Sequence, residues 1–202
     1  MCLAAVITLA SAACAQASIV TVGGDLLHIA PPASTLLGAV QDNVFARIFP
    51  ERVGHSLGGN LPVQITAPGF VNAAADLTPG FVPAGTVFDC FYLWSDPVVG
   101  SVQNYRGFVI FDQPIIGIIV GRQELNLTDA PLGNPGTTYG DNSARGLELG
   151  SDQLTLSVSM FRVDFAFNTS TATDDIRIIT LPTPGAAGLL GLVAAAGLRR
   201  RR

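Results

Sequence analysis

An all-β fold, a single antiparallel β-sandwich of jelly-roll type, is what this sequence predicts, and three observations predict it. Leu154, Leu156 and Val158 alternate with polar residues, and Phe161, Val163 and Phe165 alternate in the opposite phase, the period-two signature of strands with one buried face. Short segments rich in β-branched and aromatic residues recur along the chain with Gly, Pro, Asn and Asp between them, as in sandwiches. Stretches of helical period are few, so helices are expected to be few or absent between the two termini.

In chain order, the first strand is expected at 18–22. Residues 34–47 are the best internal helix candidate, with Ser34 placed to cap it after Pro31 and Pro32, although Gly38 weakens it. Strands follow at 63–66, 85–94, 105–111 and 115–120. The slip of phase between Met160 and Phe161 demands an extra residue. A bulge or strand break is therefore expected there, with Leu154, Leu156, Val158, Phe161, Val163 and Phe165 all facing the core. A strand at 176–181, rich in β-branched residues, closes the domain. Residues 18–181 are enough for one hydrophobic core that folds without staples.

The two ends read as export signals. Residues 4–17 are apolar and finish in Ala15, Gln16 and Ala17, a small-x-small cleavage site that assigns 1–17 to a signal peptide and makes Ser18 the first mature residue. No Lys or Arg precedes that stretch. A competing lipobox reading of Ser11 to Cys14 lacks the aliphatic residue three positions before the cysteine. At the other end, Pro182, Thr183 and Pro184 lead into 185–198, which contains only Gly, Ala, Leu and Val, and then into Arg199, Arg200, Arg201 and Arg202. As a helix, 185–198 would span about 21 Å of a bilayer core of about 30 Å, with the arginines on the cytoplasmic side.

This tail at 182–202 resembles the PEP-CTERM sorting signal of bacterial surface proteins, with Thr183 standing where that family usually carries Glu. The resemblance implies recognition and cleavage by an exosortase, after signal peptidase has acted at the other end. It also implies membrane contact only through the C-terminal helix before processing, and a secreted or cell-surface destination. A second resemblance rests on Gly85 to Asp89, Tyr92-Leu93, Asp96-Pro97, Gly107 to Asp112, Pro114 to Gly117 and Leu132 to Tyr139. Arg145 to Glu148 and Asp174 to Arg177 complete it. These residues look like a secreted domain that recurs in PEP-CTERM proteins, which implies a compact β-sandwich and supplies no activity.

Charge narrows the partners. All fifteen acidic residues lie between Asp25 and Asp175, while four of the eleven arginines sit in the tail, so the domain keeps seven basic residues and a net charge of −8. Nucleic acid and anionic lipid reward clustered cations and are not expected as partners. Cys90 is the one cysteine of the expected domain, so neither a disulfide within it nor a cysteine metal cluster can form, and it reads as a small buried hydrophobe.

Gly54, His55, Ser56, Leu57 and Gly58 spell the G-x-S-x-G nucleophile elbow of a serine esterase. The elbow needs a strand before the serine and a helix after it, but Pro50 precedes, and Pro62, Val63 and Ile65 follow. His28 lies upstream of Ser56, and His55 adjoins it; neither suits the role of its base. A glycine-rich loop between strands is the expectation, with no catalytic residues and no enzyme.

Asp129, Asp141 and Asp152 lie in a stretch rich in Gly, Asn and acidic side chains and offer hard oxygen ligands for calcium, without EF-hand spacing. Solvated loop acids are the plainer reading, and no other cofactor is expected. Tyr92 and Trp94 share one strand face, where they would stack on a sugar if exposed or pack in the core if not. Two functional classes remain: a structural or adhesive surface or matrix protein, and a carbohydrate-binding module whose partner is extracellular polysaccharide.

Overall fold

The computed structural model describes residues 17–143, 145–170 and 172–183. The expected signal segment before residue 17, and the tail from Pro184 through Arg199, Arg200, Arg201 and Arg202, lie outside the described residues. The elements in order are β1 (Ile19–Gly24), β2 (Leu26–His28), β3 (Ala46–His55), β4 (Leu61–Val63), β5 (Gly69–Val71), β6 (Gly80–Val82), β7 (Phe88–Trp94), β8 (Gln103–Phe111), β9 (Ile115–Ile119), α1 (Arg122–Leu132), β10 (Gln153–Leu156), β11 (Arg162–Thr169) and β12 (Asp175–Thr180). Two five-stranded sheets, ordered β1-β8-β11-β10-β5 and β2-β3-β7-β12-β9, form the sandwich, and β4 pairs with β6 in a separate ribbon. From β7 onward the chain shuttles between the sheets. All pairings are antiparallel except β2 with β3, which is parallel.

The interior between the sheets is one apolar cluster. Tyr105, Val109, Leu154, Val163 and Phe165 come from the first sheet, and Ile48, Phe91, Leu93, Ile176 and Ile178 from the second. A second cluster covers the opposite face of the second sheet, where Phe88, Cys90, Tyr92 and Trp94 of β7 meet Leu125 and Leu132 of α1 and Val63 and Val82 of the ribbon. Every residue of β7 and β12 is consequently buried. Each large apolar side chain so placed contributes about 1.5–3 kcal/mol.

The alternation at 154–165 resolves into a hairpin and corrects the expected core face. Leu154 pairs with Phe165 and Leu156 with Val163, and these four are buried. Val158 is 90% exposed and Phe161 36% exposed at the connecting turn. The phase slips because the chain reverses: Met160 takes φ 65, and the Ser157 N–H donates to the Arg162 carbonyl at 3.0 Å.

The helix expected at 34–47 does not form. Ser34 Oγ accepts the Leu36 N–H at 3.1 Å and so caps a turn, while the Asp96 carboxylate takes the N–H groups of Gly38 and Val40 at 2.7 and 2.8 Å. Carboxylates that satisfy backbone donors in this way compete with helix formation. The helix that does form, α1, buries Leu125, Thr128 and Leu132 along one stripe and stops at Gly133, whose N–H donates to the Asp129 carbonyl.

Candidate functional site

The densest polar chemistry lies under α1, on the covered face of the second sheet. β12 presents Arg177 and β3 presents Glu51, and neither side chain is exposed. Arg177 donates from Nε and Nη2 to Glu51 Oε2 and Oε1 at 2.6 and 2.8 Å, a bidentate pair. It also reaches the Thr128 hydroxyl and the Leu125 carbonyl of α1 and Asp129 Oδ1 at 3.0 Å. Arg145 grips Asp129 with both Nη groups at 2.7 and 2.8 Å, touches Asp175 at 3.4 Å and donates to the Tyr92 hydroxyl. The two guanidinium carbons lie 5.1 and 5.8 Å from the Tyr92 ring centre. Gly146 allows the chain to arrive here, because its φ is +97 and an added Cβ would sit 2.4 Å from the Val120 carbonyl oxygen.

The charges in this cluster are mutually locked. Burial opposes the charge on Arg177, but the Glu51 carboxylate outweighs it and holds the guanidinium firmly protonated. Burial lifts the Tyr92 hydroxyl well above its usual value. It also lifts the Asp175 carboxyl to about 6, against the pull of Arg145. The donors and acceptors face one another instead of a cleft, so the arrangement ties α1 to the sheet.

The adjoining loop carries the most perturbed acid. Asp174 is pushed to about 9, first by burial and then by the charges of Asp152, Asp175 and Glu148.

The calcium candidates are not brought together. Asp129 is held by the two arginines. Asp141 is bound by Arg122 at 3.0 Å and by Asn126, and Asp152 accepts the N–H groups of Glu148 and Asn168 at 2.7 and 2.9 Å. Among the described residues no group of three or more His, Cys, Asp or Glu is disposed to hold a metal.

Tyr92 and Trp94 do share a face, but both have no exposed surface. The layer of α1, β4 and β6 covers them, so of the two readings they pack in the core and do not stack on a sugar. Cys90 is buried as expected, yet its thiol also donates to Glu51 Oε2 at 3.1 Å.

The Gly54–Gly58 motif sits differently from expectation on one side. β3 does run up to His55, because Pro50 lies beyond the reach of β2, which pairs only with Ala46 to Ile48, and a missing N–H costs nothing there. No helix follows: Ser56 is exposed and a loop leads to β4. The His55 ring packs edge-on against Phe88, 5.7 Å between centres.

Exposed chemistry gathers instead on the outer face of the first sheet. Register places Phe108, Asp164, Thr155 and Phe70 in one row across β8, β11, β10 and β5. A shallow depression of about 220 Å³ opens between Phe70, Arg106, Gln153, Thr155, Asp164 and Ala166. Phe70 is 55% exposed. Arg162 lies 3.9 Å above the Phe108 ring centre and forms an ion pair with Asp164. Gly23 makes room for Phe108, since a Cβ there would meet its ring at 2.5 Å. Arg106 Nε donates to Asn104 at 2.8 Å, and among the described residues its guanidinium has no carboxylate partner. Nothing in the sequence marked this face, because the row exists only once β5 pairs with β10. The arginine–carboxylate cluster had a faint signal, a charge at Arg177 in the midst of isoleucines. Compared with protein-family models, with curated proteins and with solved structures, the chain matches none.

Proposed function

We propose that this chain is an exported bacterial surface or matrix protein with a structural or adhesive role and no active site, sorted by a PEP-CTERM-type tail. The observation that supports this most is the fit of the folded body between the two sorting segments. β1 begins at Ile19 and β12 ends at Thr180, just before Pro182, while Ala17, at the end of the expected leader, is buried and donates its N–H to Asp89. A second support is that the groups most suited to chemistry, Glu51, Arg145, Arg177 and Cys90, are buried and engaged with one another or with α1. In this reading signal peptidase removes the leader, an exosortase acts on the tail, and the sandwich is displayed.

Deletion of residues 182–202 tests the sorting role. The truncated protein is expected in the culture medium and the full chain in the envelope fraction; identical distribution of the two contradicts the assignment. A carbohydrate-binding role is the second reading, favoured by the exposed depression beside Phe70 and Arg106.

A further inference from the structure

We propose that the depression on the outer face of the first sheet binds an acidic polysaccharide, a chain of uronate residues, and that Phe70 and Arg106 are its principal contacts. The inference names the partner of the adhesive role and rests on that reading. Three features converge. Phe70 offers a half-exposed ring at the rim, an apolar platform of the kind that packs on the C–H face of a sugar. Gln153, Thr155 and Asp164 line the same depression and supply hydroxyl-binding groups over the small side chain of Ala166. Shallowness suits a polymer lying across the sheet better than an enclosed small molecule.

The charge pattern selects the acidic class. The domain carries a net charge of −8. Yet the only charged side chains on these five strands are Arg106, Arg162 and Asp164. Arg162 and Asp164 neutralise each other at 2.5 Å, and Asp25 accepts the Arg106 backbone N–H at 3.0 Å, which leaves the Arg106 guanidinium itself without a carboxylate partner among the described residues. A guanidinium free to form two parallel hydrogen bonds matches a carboxylate, a short-range contact that a uronate supplies and a neutral sugar does not.

The test is titration of the full-length chain with hexagalacturonate, and with a neutral maltohexaose as comparison, by isothermal calorimetry. The acidic hexasaccharide is expected to bind, more weakly at high salt, and the neutral one to bind at least about tenfold less tightly, as the loss of one charge-assisted bond requires. Arg106→Ala and Phe70→Ala should each weaken binding about tenfold or more, with Arg106→Lys intermediate and Val102→Ala unchanged. Unchanged thermal midpoints would show that the variants remain folded, as expected for exposed side chains.

Any of three results overturns the proposal: no binding of hexagalacturonate, equal binding of both sugars, or wild-type affinity in both Arg106→Ala and Phe70→Ala. Self-association that disappears in Phe70→Ala also overturns it, because the face would then join copies of the chain. A chain that fails to bind yet is found processed at the surface leaves the sorting role standing. One that binds but stays inside the cell leaves the site standing and removes the surface role.

Discussion

Replacing Glu51 by Gln should destabilise the domain by about 3–5 kcal/mol, the cost of leaving one member of a buried ion pair without its partner. Both side chains are fully buried and joined by two hydrogen bonds of 2.6 and 2.8 Å. Arg177 would keep Thr128, the Leu125 carbonyl and Asp129, but its closest carboxylate would be gone. For a domain of this size, a loss of about 3–5 kcal/mol lowers the thermal midpoint by about 6–20 °C and removes much of an ordinary stability. The double variant Glu51→Leu with Arg177→Met removes both charges and should recover most of that loss, because the burial penalty disappears with the pair. Urea unfolding followed by the fluorescence of Trp94, the chain's one tryptophan and fully buried, reads both. A Glu51→Gln variant within about 1 kcal/mol of wild type, or a double variant as costly as the two singles added, would refute the claim that this pair acts as a buried, mutually dependent unit.

Four further outcomes are expected. The Asp174 carboxyl is raised to about 9 and that of Asp175 to about 6, so the native state holds protons that the unfolded chain releases near pH 4. Their stabilisation is complete below about pH 4 and is lost as pH rises through about 6 and then about 9, by up to about 1.4 kcal/mol per unit for each group. Urea midpoints should therefore fall between pH 5 and 9, and Asp174→Asn should flatten that fall. Phe165→Ala should cost about 3–5 kcal/mol, whereas Val158→Ala, at the exposed hairpin turn, should lie within about 0.5 kcal/mol of wild type by the same denaturation assay. A chain beginning at Ser18 should be about 1–3 kcal/mol less stable than one beginning at Gln16, because the Ala17 N–H donates to the buried carboxylate of Asp89; the small residues Ala13 and Ala15 offer an alternative cut that keeps it. Gly146→Ala should lower the thermal midpoint clearly, since positive φ and the nearby Val120 carbonyl both oppose a side chain.

The strands with one solvent face were legible. β8 and β11 alternate cleanly, with Tyr105, Val109, Val163 and Phe165 inward and Arg106, Asp164 and Ala166 outward, so period two revealed both them and the sandwich. β7 was legible as a strand, but its orientation was not, because Phe88 to Trp94 are buried on both faces and carry no polar phase to show which face meets what. α1 was hidden by Asn126, Thr128, Asp129 and Pro131, residues of poor helix propensity; its stability comes from Leu125 and Leu132 packing on the sheet. β2, β5 and β6 are three residues each, too short for a periodic signal, and the Phe70 row depends on β5. The tyrosine and tryptophan that suggested a sugar site share a face, as alternation required, but alternation cannot say that a helix covers it.

Intact-mass and terminal-peptide mass spectrometry of the protein recovered from the cell surface tests the export assignment most directly. The expected chain starts at Gln16 or Ser18, ends near Pro182 to Gly185 and lacks Arg199 to Arg202. A chain recovered with the arginine cluster intact, or found only inside the cell, would contradict the assignment.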